Sequence, residues 1–133
     1  MNKELVKVFL TDATVLVITY FALWSEFVWA QNILSFFFIF LGILGMMSFC
    51  ASSDGLAESN SVEVLEKIAS SLKDKYNWFS IYDYVTNAIV WMALVGYGWY
   101  GIALLAIGSE IGYVRFRDCA KKAILIKEGA KSL

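Results

Sequence analysis

Residues 33–52 read ILSFFFIFLGILGMMSFCAS, and this stretch decides the fold class of the chain. None of its side chains carries a charge, and aliphatic and aromatic residues fill most of it. A helix of about 20 mostly apolar residues is long enough to cross the hydrocarbon core of a bilayer. The stretch therefore predicts a membrane-spanning helix, and the segments on either side extend the same pattern.

A second apolar segment, residues 9–29, predicts another span before it, with a turn between the two over residues 25–32. The chain of 133 residues is 59% hydrophobic and 17% charged, whereas an average soluble domain is roughly half apolar and about a quarter charged. A soluble domain of this size could not bury so many apolar side chains. We predict an all-α integral membrane protein.

The apolar region over residues 82–114 is too long for one span. As a single helix it would measure about 50 Å, against a hydrocarbon core of about 30 Å. A turn at the Gly-Tyr-Gly of residues 96–98 divides it into two shorter spans, residues 81–95 and residues 99–115. The sequence therefore predicts four transmembrane helices in two hairpins.

The positions of the basic residues predict how these helices cross the membrane. Lys3 and Lys7 precede the first span, Lys67, Lys73 and Lys75 lie between the second and third, and Arg115, Arg117, Lys121, Lys122, Lys127 and Lys131 end or follow the fourth. Short loops rich in Lys and Arg stay in the cytoplasm. Four spans put all eleven basic residues on that side. We expect a bacterial inner-membrane protein with both termini in the cytoplasm.

The segment between the second and third spans predicts an amphipathic cytoplasmic helix over residues 60–75. Apolar residues recur there at helical spacing: Val62, Leu65, Ile68 and Leu72. Asn60 followed by Glu63 resembles a capping box and predicts the start of the helix. We expect its apolar face to lie on the inner membrane surface or a partner, or alternatively on the ends of the chain's own helices.

The basic tail, residues 116–133, predicts a cytoplasmic extension of the fourth helix. Four basic side chains would lie at the inner headgroups: Arg115, Arg117, Lys121 and Lys122. They would attract anionic lipid, each contributing about 1 kcal/mol, or they would only fix the topology.

Three polar residues within the predicted spans are candidates for function: Glu110, Asp12 and Asn87. Charges inside a bilayer are costly and often mark functional positions. Glu110 follows Trp99 by eleven residues, so it lies about 16 Å along the fourth helix. It could be protonated, pair with Arg115 or Asn87, or line a polar path. Asp12 could be neutralised by the lysines near the N-terminus.

Small residues predict where helices pack closely. Gly108 and Gly112 form a GxxxG pair, which lets two membrane helices approach each other. Gly42 and Gly45 offer a second, weaker strip on the second helix. Because Glu110 lies between Gly108 and Gly112, we expect its carboxylate on the opposite face from them.

The composition argues against catalysis and cofactors. The chain has no histidine, the commonest general base and metal ligand, and Cys50 and Cys119 alone do not make a zinc site. Phosphate-binding loops, dinucleotide-binding glycine runs and hydrolase motifs are all missing. The net charge of -1 argues against a nucleic-acid partner. We predict no enzyme activity, no cofactor and no metal.

These observations favour a small membrane protein that acts by helix–helix association. It would bind itself or a larger membrane complex, as accessory subunits, exclusion or immunity proteins and inhibitors do. The alternative is an oligomeric ion-conducting channel or holin-like pore with Glu110, Asp12 and Asn87 facing its interior. A small proton-coupled exporter is a third possibility. In size and layout the chain resembles small phage or plasmid membrane proteins, holins among them, without a shared motif.

Overall fold

A computed structural model describes residues 2–131, and all the regular structure in that range is helical. The helices are α1 (Lys3–Leu23), α2 (Val28–Cys50), α3 (Ser53–Ser59), α4 (Val62–Ala69), α5 (Leu72–Lys75), α6 (Asn77–Gly96) and α7 (Tyr100–Lys131). The long helices α1, α2, α6 and the first half of α7 pack together, and α3 and α4 pack on the second half of α7. The all-α prediction is confirmed for the described residues.

Two helices in the described part of the chain, α1 and α2, are long and apolar enough to cross a bilayer. Many of their large apolar side chains face outward, among them Leu10 at 68% exposure, Phe36 at 73% and Met46 at 69%. A soluble protein rarely exposes so large an apolar surface. These two helices support membrane association.

The first turn lies earlier than the sequence predicted. Helix α1 ends at Leu23 rather than continuing to residue 29, and α2 already begins at Val28. Glu26 adopts a positive φ of 53°, which ends the helical path. The side chain of Gln31 then donates a hydrogen bond of 3.1 Å to the Ala22 carbonyl, one of the acceptors left unpaired at the end of α1.

The second turn falls where the glycines predicted it. Helix α6 ends at Gly96 and α7 begins at Tyr100. Gly98 has a φ of +79°, which only glycine adopts readily, and the Trp99 amide donates back to the Leu94 carbonyl at 2.8 Å. Helix α6 starts at Asn77, earlier than predicted, and its 20 residues measure about 30 Å.

The predicted tail and α7 form one helix of 32 residues. Its second half packs against α3 and α4 through a small cluster of buried residues: Ala57, Leu65, Ala69, Ala120 and Ala123. The last helix therefore continues into the predicted tail as far as Lys131. The same cluster covers the apolar face of α4, so that face packs on the chain's own helix.

The segment predicted as one helix over residues 60–75 is divided into α4 and α5, and α3 precedes them. A serine caps the start of each helix: the side chains of Ser52, Ser61 and Ser71 accept hydrogen bonds from backbone amides. Serine is a strong N-cap and favours a new helix start over continuation. The cap of α4 is Ser61, not the predicted Asn60.

Glycines fix the crossing of α2 and α7. A Cβ atom on Gly45 would lie 2.6 Å from the Ser109 Cα, and one on Gly112 would lie 2.7 Å from the Gly45 carbonyl carbon. Gly42 packs similarly against Leu105. Gly108 has open space where its Cβ would be, but its carbonyl oxygen lies 3.3 Å from the Gly45 Cβ position, so Gly112 makes the closer contact at this crossing.

Candidate functional site: a polar cavity beside an ion cluster

The three polar residues singled out from the sequence line one cavity. This polar cavity has a volume of about 170 Å³ and lies among α1, α2, α6 and α7. Its polar lining consists of Thr11, Asp12, Thr86, Asn87, Ser109 and Glu110; its apolar lining includes Val15, Phe38, Val90 and Ala106. The volume is enough for several waters at about 30 Å³ each.

The hydroxyl groups around the cavity are already used within their own helices. Thr11 donates to the Lys7 carbonyl at 2.9 Å, and Ser109 donates to the Ala106 carbonyl at 2.7 Å. The Thr86 hydroxyl likewise donates to its own helix. Their protons are therefore not offered to the carboxylates of the cavity.

Asp12 has an unsatisfied carboxylate oxygen. Its Oδ2 is buried and has no hydrogen-bond partner among residues 2–131. No ion pair within that range joins Asp12 to Lys3 or Lys7, so the expected neutralisation by these lysines does not occur. An unpaired buried carboxylate oxygen is costly, because it loses its hydration without gaining a partner.

Glu110 belongs to an ion cluster as well as to the cavity. The ammonium of Lys73 lies 2.5 Å from Asp83 Oδ2 and 3.0 Å from Glu110 Oε1. The three side chains are 16%, 19% and 30% exposed. We call Lys73, Asp83 and Glu110 the ion cluster. The expected pairing of Glu110 with Arg115 or Asn87 is wrong, because Lys73 from α5 is its partner.

Asn87 connects the cluster to the cavity. Its side-chain amide donates a hydrogen bond of 3.5 Å to Asp83 Oδ2, and Asn87 itself lines the cavity. Lys73 also lies over the ring of Tyr84, 4.7 Å from its centroid. The cation therefore has two carboxylates and an aromatic face around it.

The environment keeps Lys73 charged. Burial lowers the pKa of its ammonium, but the hydrogen bonds and charges of Asp83 and Glu110 raise it more, so the pKa stands above its ordinary value. One ammonium thus faces two carboxylates directly, and Asp12 adds a third carboxyl group across the cavity.

The basic residues of α7 lie outside the cavity. The Arg115 guanidinium lies over the Phe49 ring at 4.3 Å, and Lys121 lies 3.7 Å from Asp74. Lys122 and Arg115 line a surface groove that also includes Glu110. Arg117 has a buried Nε without a partner among the described residues. These side chains do not converge on one site.

A second groove, between α2 and α7, is apolar and open. Its volume is about 480 Å³, and its lining includes Met46, Cys50, Gly101, Leu104 and Gly108. Gly101 and Gly108 have nothing within 4 Å of their Cβ positions. We call this the α2–α7 groove. Small residues beside open apolar space suit the close approach of another membrane helix.

Sequence reasoning missed the role of Lys73. Lys73 was counted only as part of a topological signal, and its partner Glu110 lies 37 residues away. An unpaired acidic residue in a predicted span implies a cation somewhere, but only the fold selects which one.

No protein-family model matches this chain, and comparisons with curated proteins and with solved structures found no significant match. Within residues 2–131, no three His, Cys, Asp or Glu side chains are grouped so that they could hold a metal ion. The function is therefore proposed from the cavity, the ion cluster and the exposed surfaces.

Proposed function

We propose that this chain is a four-helix integral protein of a bacterial inner membrane, with α1, α2, α6 and the first half of α7 as its spans. Two observations support the two additional spans. Helix α6 has the length of a bilayer core, and large apolar side chains on both helices face outward, including Met92 and Leu104. The basic residues then all lie on the side of α3–α5 and both termini.

The function proposed for it is helix–helix association, with itself or with a larger membrane protein. The α2–α7 groove is the observation that carries this proposal. Its two open glycines let a partner helix come near the backbone, and close packing drives association where lipid offers no hydrophobic gain. An accessory, exclusion, immunity or inhibitor protein would act through such a surface.

Cys50 makes this proposal testable, because it is exposed and lines the groove. In a Cys119→Ser background, oxidation in native membranes should cross-link two copies through Cys50 if the chain associates with itself. Gly108→Leu should fill the groove and abolish the cross-link, as well as co-purification of any membrane partner. Gly96→Leu is the matched control, since Gly96 is also open but lies outside the groove. Equal behaviour of the two variants would contradict the proposal.

A second candidate function, ion permeation or proton coupling, is favoured by the polar cavity. Asp12, Asn87 and Glu110 face the inside of one protomer, so a path through the protomer, as in a proton-coupled exporter, fits them better than a pore between protomers. The test is the membrane potential of a bacterial host during induced expression. Depolarisation that Glu110→Gln abolishes would support this candidate, and an unchanged potential with the wild-type chain would argue against conduction.

A further inference from the structure

Lys73 joins three elements that are distant in sequence. It lies on α5, and its ammonium contacts Asp83 of α6 and Glu110 of α7. Helix α5 has only four residues: Leu72 and Lys73 are half-buried, and Asp74 and Lys75 are exposed. Its other ion pair, between Asp74 and Lys121, is long at 3.7 Å and about half exposed on both sides. Exposed pairs of this kind contribute little, so the Lys73 pairs are the stronger of the ion pairs that hold α5.

The same ion pairs border the polar cavity. Glu110 belongs to both, and Asn87 lines the cavity while donating to Asp83. Asn87 precedes Val90 along α6, and Glu110 follows Ala106 along α7. Because the two helices run in opposite directions, both polar residues lie at the end of the cavity nearest α5. Lys73 therefore lies between the cavity and the α3–α5 side of the molecule.

We propose that Lys73 is a latch that closes the polar cavity on the α3–α5 side. With its ammonium paired to Asp83 and Glu110, α5 is held against α6 and α7. With these pairs broken, α5 moves away and the cavity opens to water on that side. A four-residue helix without a fully buried residue belongs to the low-stability end of a structure, so it opens locally without unfolding the bundle. This inference does not depend on which function above is correct.

The accessibility of a cavity residue tests the latch directly. Thr86 lines the cavity and is 7% exposed, so Thr86→Cys reports opening in a Cys50→Ser, Cys119→Ser background. The full-length protein in lipid nanodiscs is treated with a charged methanethiosulfonate reagent, and the rate of modification is measured. Lys73→Met should raise this rate about tenfold or more, because the open population grows in proportion.

Lys75→Met is the matched control, since Lys75 lies on the same helix, is exposed and makes no ion pair within residues 2–131. It should leave the rate unchanged. Equal rates in Lys73→Met and Lys75→Met would overturn the latch. Ala22→Cys is a second control, because Ala22 is buried in the main core outside the cavity. If Lys73→Met accelerated modification of Ala22→Cys as much as that of Thr86→Cys, the whole bundle would have loosened, and the latch would be overturned.

Two further variants keep the test decisive if Lys73→Met does not fold. Glu110→Gln removes one of the two carboxylate partners and should give a smaller acceleration than loss of the cation. The double variant Lys73→Glu, Glu110→Lys keeps one ammonium and two carboxylates in the cluster. It should restore slow modification of Thr86→Cys. A Glu110→Gln rate equal to that of the wild type, or a double variant faster than Glu110→Gln, would contradict the latch.

Discussion

At the scale of single residues, the ion cluster combines a cation with a surplus of carboxylates. Lys73 is mostly buried between Asp83 and Glu110, and removing one partner of such a pair leaves the others uncompensated. The cluster therefore makes Lys73 the basic residue whose loss should cost most, although nothing in the local sequence distinguishes it from Lys75 two positions on.

Lys73→Met should lower the free energy of unfolding by about 2 kcal/mol, the cost of leaving partly buried polar groups without a partner, whereas Lys75→Met should change it little. Denaturation followed by circular dichroism in mild detergent would measure both.

The contribution of Lys73 to stability should depend on pH. Because folding raises the pKa of Lys73, its contribution to the free energy of unfolding is complete below the pKa of an unfolded lysine, about 10.4, and is lost as pH rises through the pKa of the folded state. The difference between wild type and Lys73→Met should stay constant from about pH 7 to 9 and shrink above about 10.4. A difference that is constant through the alkaline range would contradict this assignment.

The glycine positions of α2 and α7 differ in how much space they leave for a side chain. Gly112→Ala should destabilise by about 1–3 kcal/mol, because the new methyl group would collide with the Gly45 backbone. Gly108→Ala should be neutral, or stabilising by up to about 1 kcal/mol, because its surroundings are open and alanine favours the helix. Thermal unfolding of the two variants in the same detergent would compare them. Equal loss of stability would show that the helices cross elsewhere.

At the scale of elements, α4 illustrates how an amphipathic pattern is used. Its periodicity is compatible with a membrane surface, a partner or the chain's own helices. In the structure Leu65 is fully buried, with Ala120 and Ala123 of α7 in the same cluster. The apolar face of α4 therefore packs on α7 of the same chain, and α7 supports the α3–α4 segment.

Leu65→Ala should therefore lower the free energy of unfolding by about 2–4 kcal/mol, and Val64→Ala, on the exposed side of α4, should change it by less than about 0.5 kcal/mol. Both variants can be followed by denaturation in detergent, where no bilayer surface is present. Similar small effects of the two substitutions would favour a membrane-surface position of α4 over packing on α7.

At the scale of the whole molecule, the proposed topology puts both termini on one side. Reporter fusions after residue 131 should therefore behave as cytoplasmic: a fluorescent protein should be bright and alkaline phosphatase inactive. A fusion at Gly98, in the turn between α6 and α7, should give the reverse result. Active phosphatase after residue 131 would exclude four spans with both termini in the cytoplasm.

Three features of the fold can be predicted from the sequence alone: the helical class, the extension of the last helix and the turn near Gly98. These features follow from local quantities: the uncharged run over residues 33–52, the continuous helical pattern into the tail, and a backbone conformation that glycine adopts. The sequence also singled out Asp12, Asn87 and Glu110 as polar exceptions, because a charge in an apolar helix is conspicuous without any knowledge of its neighbours.

The contact partners of these residues and faces, in contrast, follow only from the way the helices pack. The tertiary structure paired Glu110 with Lys73, placed the Cα of Gly112 against the Gly45 backbone, and turned the apolar face of α4 onto α7. Each of these contacts depends on the depth and the crossing angle at which two helices meet. Hydropathy and periodicity describe a single helix, so they predict neither the depth nor the angle. The partner of a buried charge is therefore decided by how distant segments pack, not by the residues beside it.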